Sequence, residues 1–146
     1  MTIYFASDHA GFSLRQTLLA HVQAAGHDVV DLGPAEASSV DYPDFGVKLA
    51  TALQQDDAGY GIAICGSGIG ISMALNRFSW VRAALVSHPL AAALARQHND
   101  ANVLALGERL IEPDLAKQCV DHFLGTEFEG GRHQRRVAKL SQIGEK

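Results

Sequence analysis

Tyr60-Gly61-Ile62-Ala63-Ile64-Cys65-Gly66-Ser67-Gly68-Ile69-Gly70 is the stretch that decides the fold. Its first half is a continuous apolar run of strand length. Its second half is a glycine-rich turn, and a short helix follows. A strand that runs through such a turn into a helix is half of a βαβ unit. Upstream, Thr2–Ser7 is a short run rich in β-formers. Leu14, Leu18 and Val22 then recur at helical spacing within 12–25, and Gly26 suits the position after a helix end. Asp28–Leu32 reads as a second strand, broken by Gly33-Pro34. A polar loop over 33–43 leads to a helix over 43–55, with Pro43 in its first turn. Downstream, Val81–Val86 and Asn102–Leu106 read as strands. Pro89–His98 and Pro113–Leu124 read as helices, and the last stretch is helical from about Gly131. Strands alternating with helices of ~10–14 residues predict an α/β fold. The right-handed crossover rule makes it a five-stranded, doubly wound parallel sheet with helices on both faces.

Composition sets the outer limits. The chain has 146 residues, a length that suits one domain over 1–146. The segment from about 131 to 146 has no strand partner, and either packs on the domain or reaches a partner subunit. Twelve basic against 16 acidic side chains leave a net charge of −4, which weakens any case for nucleic-acid binding. Apolar runs fall well short of the ~20 residues a membrane span needs. The N-terminus has no basic region and reaches Asp8 early, so no signal peptide is expected. Cys65 and Cys119 cannot build a disulfide framework, which favours a cytoplasmic setting. Glycine supplies 14 residues, nearly a tenth, against a background of ~7%. Their placement matters more than their number.

In an open parallel sheet, ligands bind beyond the carboxyl ends of the strands. Two loops expected there carry chemistry: Ser7-Asp8-His9-Ala10-Gly11 and Cys65–Gly70. Successive glycine N–H groups before a helix make a nest for an anion. Several familiar motifs fail against this loop. The dinucleotide fingerprint would need glycine where Ile71 stands, and no Gly-Lys-Ser/Thr closes a P-loop. A nucleophile elbow around Ser67 would need glycine at Cys65. A phosphatase loop opening at Cys65 would need an arginine before Arg77. No CxxC, HExxH or i,i+4 histidine pair suggests a metal. A thiol beside a cradle of N–H donors remains, and Cys65 could act there as base or nucleophile. Cys119, among Leu115, Val120 and Phe123, reads as a core residue.

His9 shares its loop with Asp8, so both should face the Cys65 loop. His21, His27 and His122 have nothing chemical near them, and His88 is either functional or a helix-cap neighbour. His98-Asn99-Asp100 follows a helix and precedes the fifth strand. That puts His98 at the amino edge of the sheet and Cys65 at the carboxyl edge, ~17 Å apart for a five-residue strand. If both act in one reaction, a second chain must complete the site. Arg132 and Arg136 lie on one helix face in a local basic run, and guanidinium forks suit phosphate oxygens. Arg109, after strand five, is another candidate at the ligand edge.

Taken together, Ser7-Asp8-His9-Ala10-Gly11, Cys65-Gly66-Ser67-Gly68-Ile69-Gly70, His98-Asn99-Asp100-Ala101-Asn102-Val103-Leu104 and Gly131-Arg132-His133 resemble the ribose-5-phosphate isomerase B family. Its wider family includes the galactose-6-phosphate isomerase subunits. The resemblance covers nearly the whole chain, in order. It implies a Rossmann-like three-layer α/β/α sandwich and a homodimer or homotetramer with shared active sites. It also implies reversible isomerisation of ribose 5-phosphate and ribulose 5-phosphate through an enediolate, without metal or cofactor. On that resemblance Cys65 is the base at C2, and the N–H groups of Gly66, Gly68, Ile69 and Gly70 stabilise the enediolate. Ser67 assists proton movement between O1 and O2. His98, with Asp8, opens the furanose ring. His9, Arg109, Arg132 and Arg136 hold the phosphate, while Asn99 and Tyr42 contact the sugar.

Ser67 stands where many members have threonine, and the hydroxyl is kept. Ser87-His88-Pro89 replaces the more usual Cys-His-Asp. Other readings stay open on sequence. They are an isomerase of a four- or six-carbon aldose phosphate, a non-catalytic phosphosugar-binding module, or a redox role for Cys65, although no resolving cysteine lies near it in sequence.

Overall fold

The computed structural model describes residues 1–144; positions 145 and 146 of the expected C-terminal segment lie outside the described residues. β1 (Thr2–Ser7), β2 (Asp28–Asp31), β3 (Tyr60–Cys65), β4 (Ala83–Leu85) and β5 (Val103–Gly107) form one sheet. Its order is β2-β1-β3-β5-β4, and every pairing is parallel. The helices are α1 (Phe12–Ala24), α2 (Tyr42–Gln55), α3 (Ile69–Leu75), α4 (Pro89–Asn99), α5 (Pro113–Leu124) and α6 (Arg132–Gln142). The α/β architecture is the one the alternation predicts. None of the described helices is long and apolar enough to cross a membrane.

The continuous apolar character of β3 has a direct cause: both of its faces are covered. Successive side chains of a strand point to opposite faces. Ile62 and Ile64 join Leu104 and Leu106 of β5 under α1, α4 and α5, in a cluster with Leu18 and Phe123. Ala63 and Cys65 point the other way, with Val103, into a cluster with Leu49, Leu53, Ile71 and Leu75 from α2 and α3. Parallel sheets with helices on both sides read this way, without alternation. Burial of each Leu, Ile or Phe contributes roughly 1.5–3 kcal/mol.

The element limits differ from the sequence reading at the fourth and fifth strands. The expected strand Val81–Val86 shrinks to Ala83–Leu85. Val81 instead closes a turn onto the Phe78 carbonyl at 3.0 Å. Asn102 was expected to open the fifth strand, but its amide serves as a clasp. Its Oδ1 accepts from Arg82 N at 2.7 Å, and its Nδ2 donates to the Trp80 carbonyl at 2.9 Å.

Register places the site. Ser7 pairs with Ile64, and Cys65 pairs with Gly107, so β1, β3 and β5 end together at one edge. α4 returns from that edge and deposits His98 at the opposite one. Leu104 lies fully buried in the middle of the sheet. Leu104→Ala is expected to cost about 2–5 kcal/mol of unfolding free energy, read by urea denaturation, because a rigid sheet closes poorly around the cavity.

Candidate active site

Three loops leave the carboxyl edge side by side. Asp8 N donates to the Ile64 carbonyl at 3.2 Å, Glu108 N to Cys65 at 3.0 Å and Arg109 N to Gly66 at 3.0 Å. These bonds tie the loops after β1 and β5 to the end of β3. The cleft they form holds about 360 Å³, the scale of a small-ligand site. It is lined by Asp8, His9, Tyr42, Cys65, Gly66, Ser67, Gly70 and Arg109, together with Ala10 and Leu110.

Cys65 is nearly buried, and the Gly68 N–H donates to its Sγ at 3.1 Å. A donor aimed at sulfur is an arrangement that accommodates charge there. This bond requires Gly68 in the left-handed region, at φ 76°, where a side chain would be strained. A Cβ at Gly66 would meet the Arg109 guanidinium at 2.9 Å, so glycine there lets Arg109 lie across the loop. Among the described residues no carboxylate lies within ion-pair distance of Arg109.

The loop's donors are not all free. Gly68 N–H is spent on Cys65, and Ile69 N–H donates to Ser67 Oγ at 3.2 Å. The Ile69 side chain is exposed, and neither Gly68 nor Ile69 lines the cleft. Among the described residues, Gly66, Ser67 and Gly70 keep N–H groups without a protein acceptor. α3 has only 7 residues, so the cradle is the loop itself more than a helix terminus.

Asp8 Oδ1 accepts from Gly11 N at 3.1 Å and caps the single 3-10 turn at His9–Gly11. His9 Nδ1 is pinned by Val40, whose N–H and carbonyl lie at 3.1 and 3.2 Å, leaving Nε2 for a ligand. Beneath this loop, fully buried Arg15 donates to Ser7 Oγ at 2.5 Å and to the Pro34 carbonyl, and its Nε lies 3.1 Å from Asp31. Burial pulls its guanidinium below the usual arginine range, and Asp31 opposes that. The arginine therefore joins the end of β1 to the loop after β2, directly before Asp8. Cys119 sits fully buried in the core, where desolvation pushes its thiol up. His88 caps α4, with Nδ1 accepting from Leu90 N at 3.2 Å.

A second cleft of about 400 Å³ lies at the amino edge, lined by His98, Asn99, His133, Arg136, Val137 and Leu140. It shares no lining residue with the Cys65 cleft. The predicted residues thus divide into two groups. Asp8, His9, Tyr42, Arg109 and the Cys65 loop gather at one edge. His98, Asn99 and Arg136 gather at the other, and Arg132 opens α6 beside them. His133 and Glu129 complete the second group. Sequence marked His133 only within a motif, and nothing marked Glu129. His98, Glu129 and His133 present ligand atoms within 4.8 Å of one another, a spacing a cation could use. Arg132 and Arg136 beside them make an anion the better electrostatic fit.

Comparison with known proteins identifies the family. The model of the ribose/galactose isomerase family matches residues 3–140. Ribose-5-phosphate isomerase B of Escherichia coli is 45% identical over 141 residues, covering 97% of this chain and 95% of that protein. Ribose-5-phosphate isomerase B of Clostridium thermocellum superposes with a TM-score of 0.95 at 45% identity, covering 98% of this chain and 97% of that one. The Mycoplasma genitalium enzyme with bound ribulose-5-phosphate gives 0.95 at 42% identity, covering 99% and 97%. Both clefts, with Cys65 in one and His98 in the other, fall inside the matched stretch, and the chain belongs to the ribose/galactose isomerase family.

Proposed function

We propose that the protein interconverts ribose 5-phosphate and ribulose 5-phosphate. The observation that carries this reading is a nearly buried thiol, with an N–H aimed at its sulfur, opening onto a cleft that also holds Asp8, His9, Ser67 and Arg109. The C2 proton of an aldose phosphate is weakly acidic. Its removal needs a base and donors for the enolate oxygen in a shielded site. Cys65 takes that proton, and the electron pair forms the C1–C2 double bond of the enediolate. The free N–H groups of Gly66, Ser67 and Gly70 face the developing oxyanion. Ser67 moves a proton between O1 and O2, and a proton returned to C1 gives the ketose. His9 and Arg109 hold the phosphate, and Tyr42 contacts the sugar.

His98 and Asn99 stand at the other edge of the sheet and enter the same reaction from a second copy of the chain, along with Arg132 and Arg136. Two observations support this association. α6 buries none of its residues, and Leu140 and Ile143 at its end are exposed. Its apolar stripe is left for a partner. The unpaired Cys65 must stay reduced, which suits the cytoplasm.

A coupled assay across ribose, allose, galactose and erythrose phosphates tests the substrate; highest kcat/KM on the ribose ester is expected, and preference for another sugar would replace it. Cys65→Ala should lower kcat by about 100-fold to 10,000-fold while sugar-phosphate binding persists, since a general base contributes that much. Arg136→Ala should act chiefly on KM, raising it about tenfold to a hundredfold through loss of a charge-assisted bond. Mixing Cys65→Ala with His98→Asn chains, each inactive alone, should restore about a quarter of wild-type activity, because one composite site in each mixed dimer is intact. No recovery after subunit exchange would place both residues in one chain's site.

A further inference from the structure

Glu129 occupies a position that the proposed reaction leaves without a task. Gly130 and Gly131 follow it with φ of 67° and 56°, folding the chain back so that Glu129 meets the first turn of α6. Its amide donates to the Gln97 carbonyl at 3.1 Å, one residue before His98. Arg96 Nε donates to the Thr126 carbonyl at 3.2 Å, which ties the same segment to α4 a second time. From this anchored backbone, Glu129 Oε1 stands 3.9 Å from His98 Nε2 and 3.8 Å from His133 Nε2. The two imidazoles stack, with centroids 4.4 Å apart and planes inclined by 17°. Among the described residues, Glu129 is the anion within ion-pair distance of either ring. The other charges facing them are cationic, Arg132 and Arg136 on α6, while neighbouring Asp100 is engaged by Arg82 and Arg96.

We propose that Glu129 is a positioning residue for ring opening, holding His98 against stacked His133 and stabilising the charge His98 acquires. The proposal rests on His98 as the ring-opening group. In that step His98 takes the proton from O1 as the C1–O1 double bond forms and the C1–O4 bond breaks. The imidazolium then returns the proton to O4, and neutral imidazole is regenerated. His98 therefore carries a positive charge only part-way through the step. A fixed carboxylate beside it gains attraction at that moment and little before or after, which is how an electrostatic group accelerates a reaction. His133 does not take the carboxylate for itself. Desolvation first, then the charges of His98 and Arg132, press it towards the neutral form against the pull of Glu129. A neutral ring stacked on His98 fixes the plane of the imidazole without adding a competing cation.

Ribulose 5-phosphate provides the test, because its 5-oxygen is esterified and it cannot close a furanose ring. Its C1 proton can exchange with solvent through the enediolate without ring opening. The full-length protein and its Glu129→Gln, Glu129→Ala and Glu129→Asp variants are compared in two assays. One is turnover of ribose 5-phosphate. The other is deuterium exchange from solvent into C1 of ribulose 5-phosphate, followed by NMR. Turnover in Glu129→Gln and Glu129→Ala should fall about tenfold to a hundredfold, as for loss of one stabilising electrostatic contact, while exchange stays within about twofold of wild type. Glu129→Asp, which keeps the charge, should regain part of the turnover. The Glu129 side chain is half exposed, so the variants should keep the wild-type thermal midpoint. Equal loss in both assays, or no loss in either, overturns the proposal. A wild-type protein that neither turns over nor exchanges would instead overturn the isomerase reading itself.

Discussion

Parallel pairing of β3 with β1 on one side and β5 on the other is the constraint on which the rest depends. It brings Ser7, Cys65 and Gly107 to a common edge. Parallel strands cannot be joined by hairpins, so every connection must cross over through a helix. The helices then cover both faces, and the central strands become apolar throughout. The same crossovers leave three strand ends free at one edge, where backbone N–H groups and polar side chains stay unpaired with the sheet. Ligand sites in open parallel sheets collect at this carboxyl edge.

The antiparallel return of each helix has an equally firm consequence. Whatever sits in the last turn of α4 lies at the amino edge, a full strand length from Cys65. His98 and Asn99 are in that turn, and Arg136 joins them from α6. Two clefts with complementary residues thus lie a strand length apart, and the proposed reaction draws one from each of two chains. Both halves also carry cationic groups in a chain of net charge −4. Local convergence of guanidinium groups and N–H donors outweighs the total, since interactions beyond a Debye length of ~8–10 Å are screened.

At several points where the sequence reading and the structure part, a side chain has claimed a backbone group. The glycine loop looked like a uniform row of donors. Cys65 Sγ and Ser67 Oγ take two of them, which narrows the cradle to Gly66, Ser67 and Gly70. Asn102 lies just before the fifth strand, where its carbonyl still accepts from Gly61 N while its side-chain amide bridges Arg82 and Trp80. Arg15 is fully buried and reaches Ser7 and Pro34 beneath the Asp8 loop. No periodicity argument assigns an arginine to a core.

The sequence by itself determined the fold class, the alternation of strands and helices, and the separation of Cys65 from His98, because these follow from local periodicity and the direction of parallel connections. It also marked Cys65, Ser67 and the glycines, since few other structures need that cluster. Only the tertiary structure decided the strand order, the bonds that occupy Gly68 and Ile69, the clamp of Arg15 and the meeting of Glu129 with His98 and His133. Strand order is backbone pairing between distant segments, the bonds at Gly68 and Ile69 follow from the turn of one loop, and the Arg15 and Glu129 contacts join side chains across separate elements. Such contacts depend on register and on backbone turned at positive φ, as at Gly130 and Gly131, and neither leaves a repeating trace along the chain.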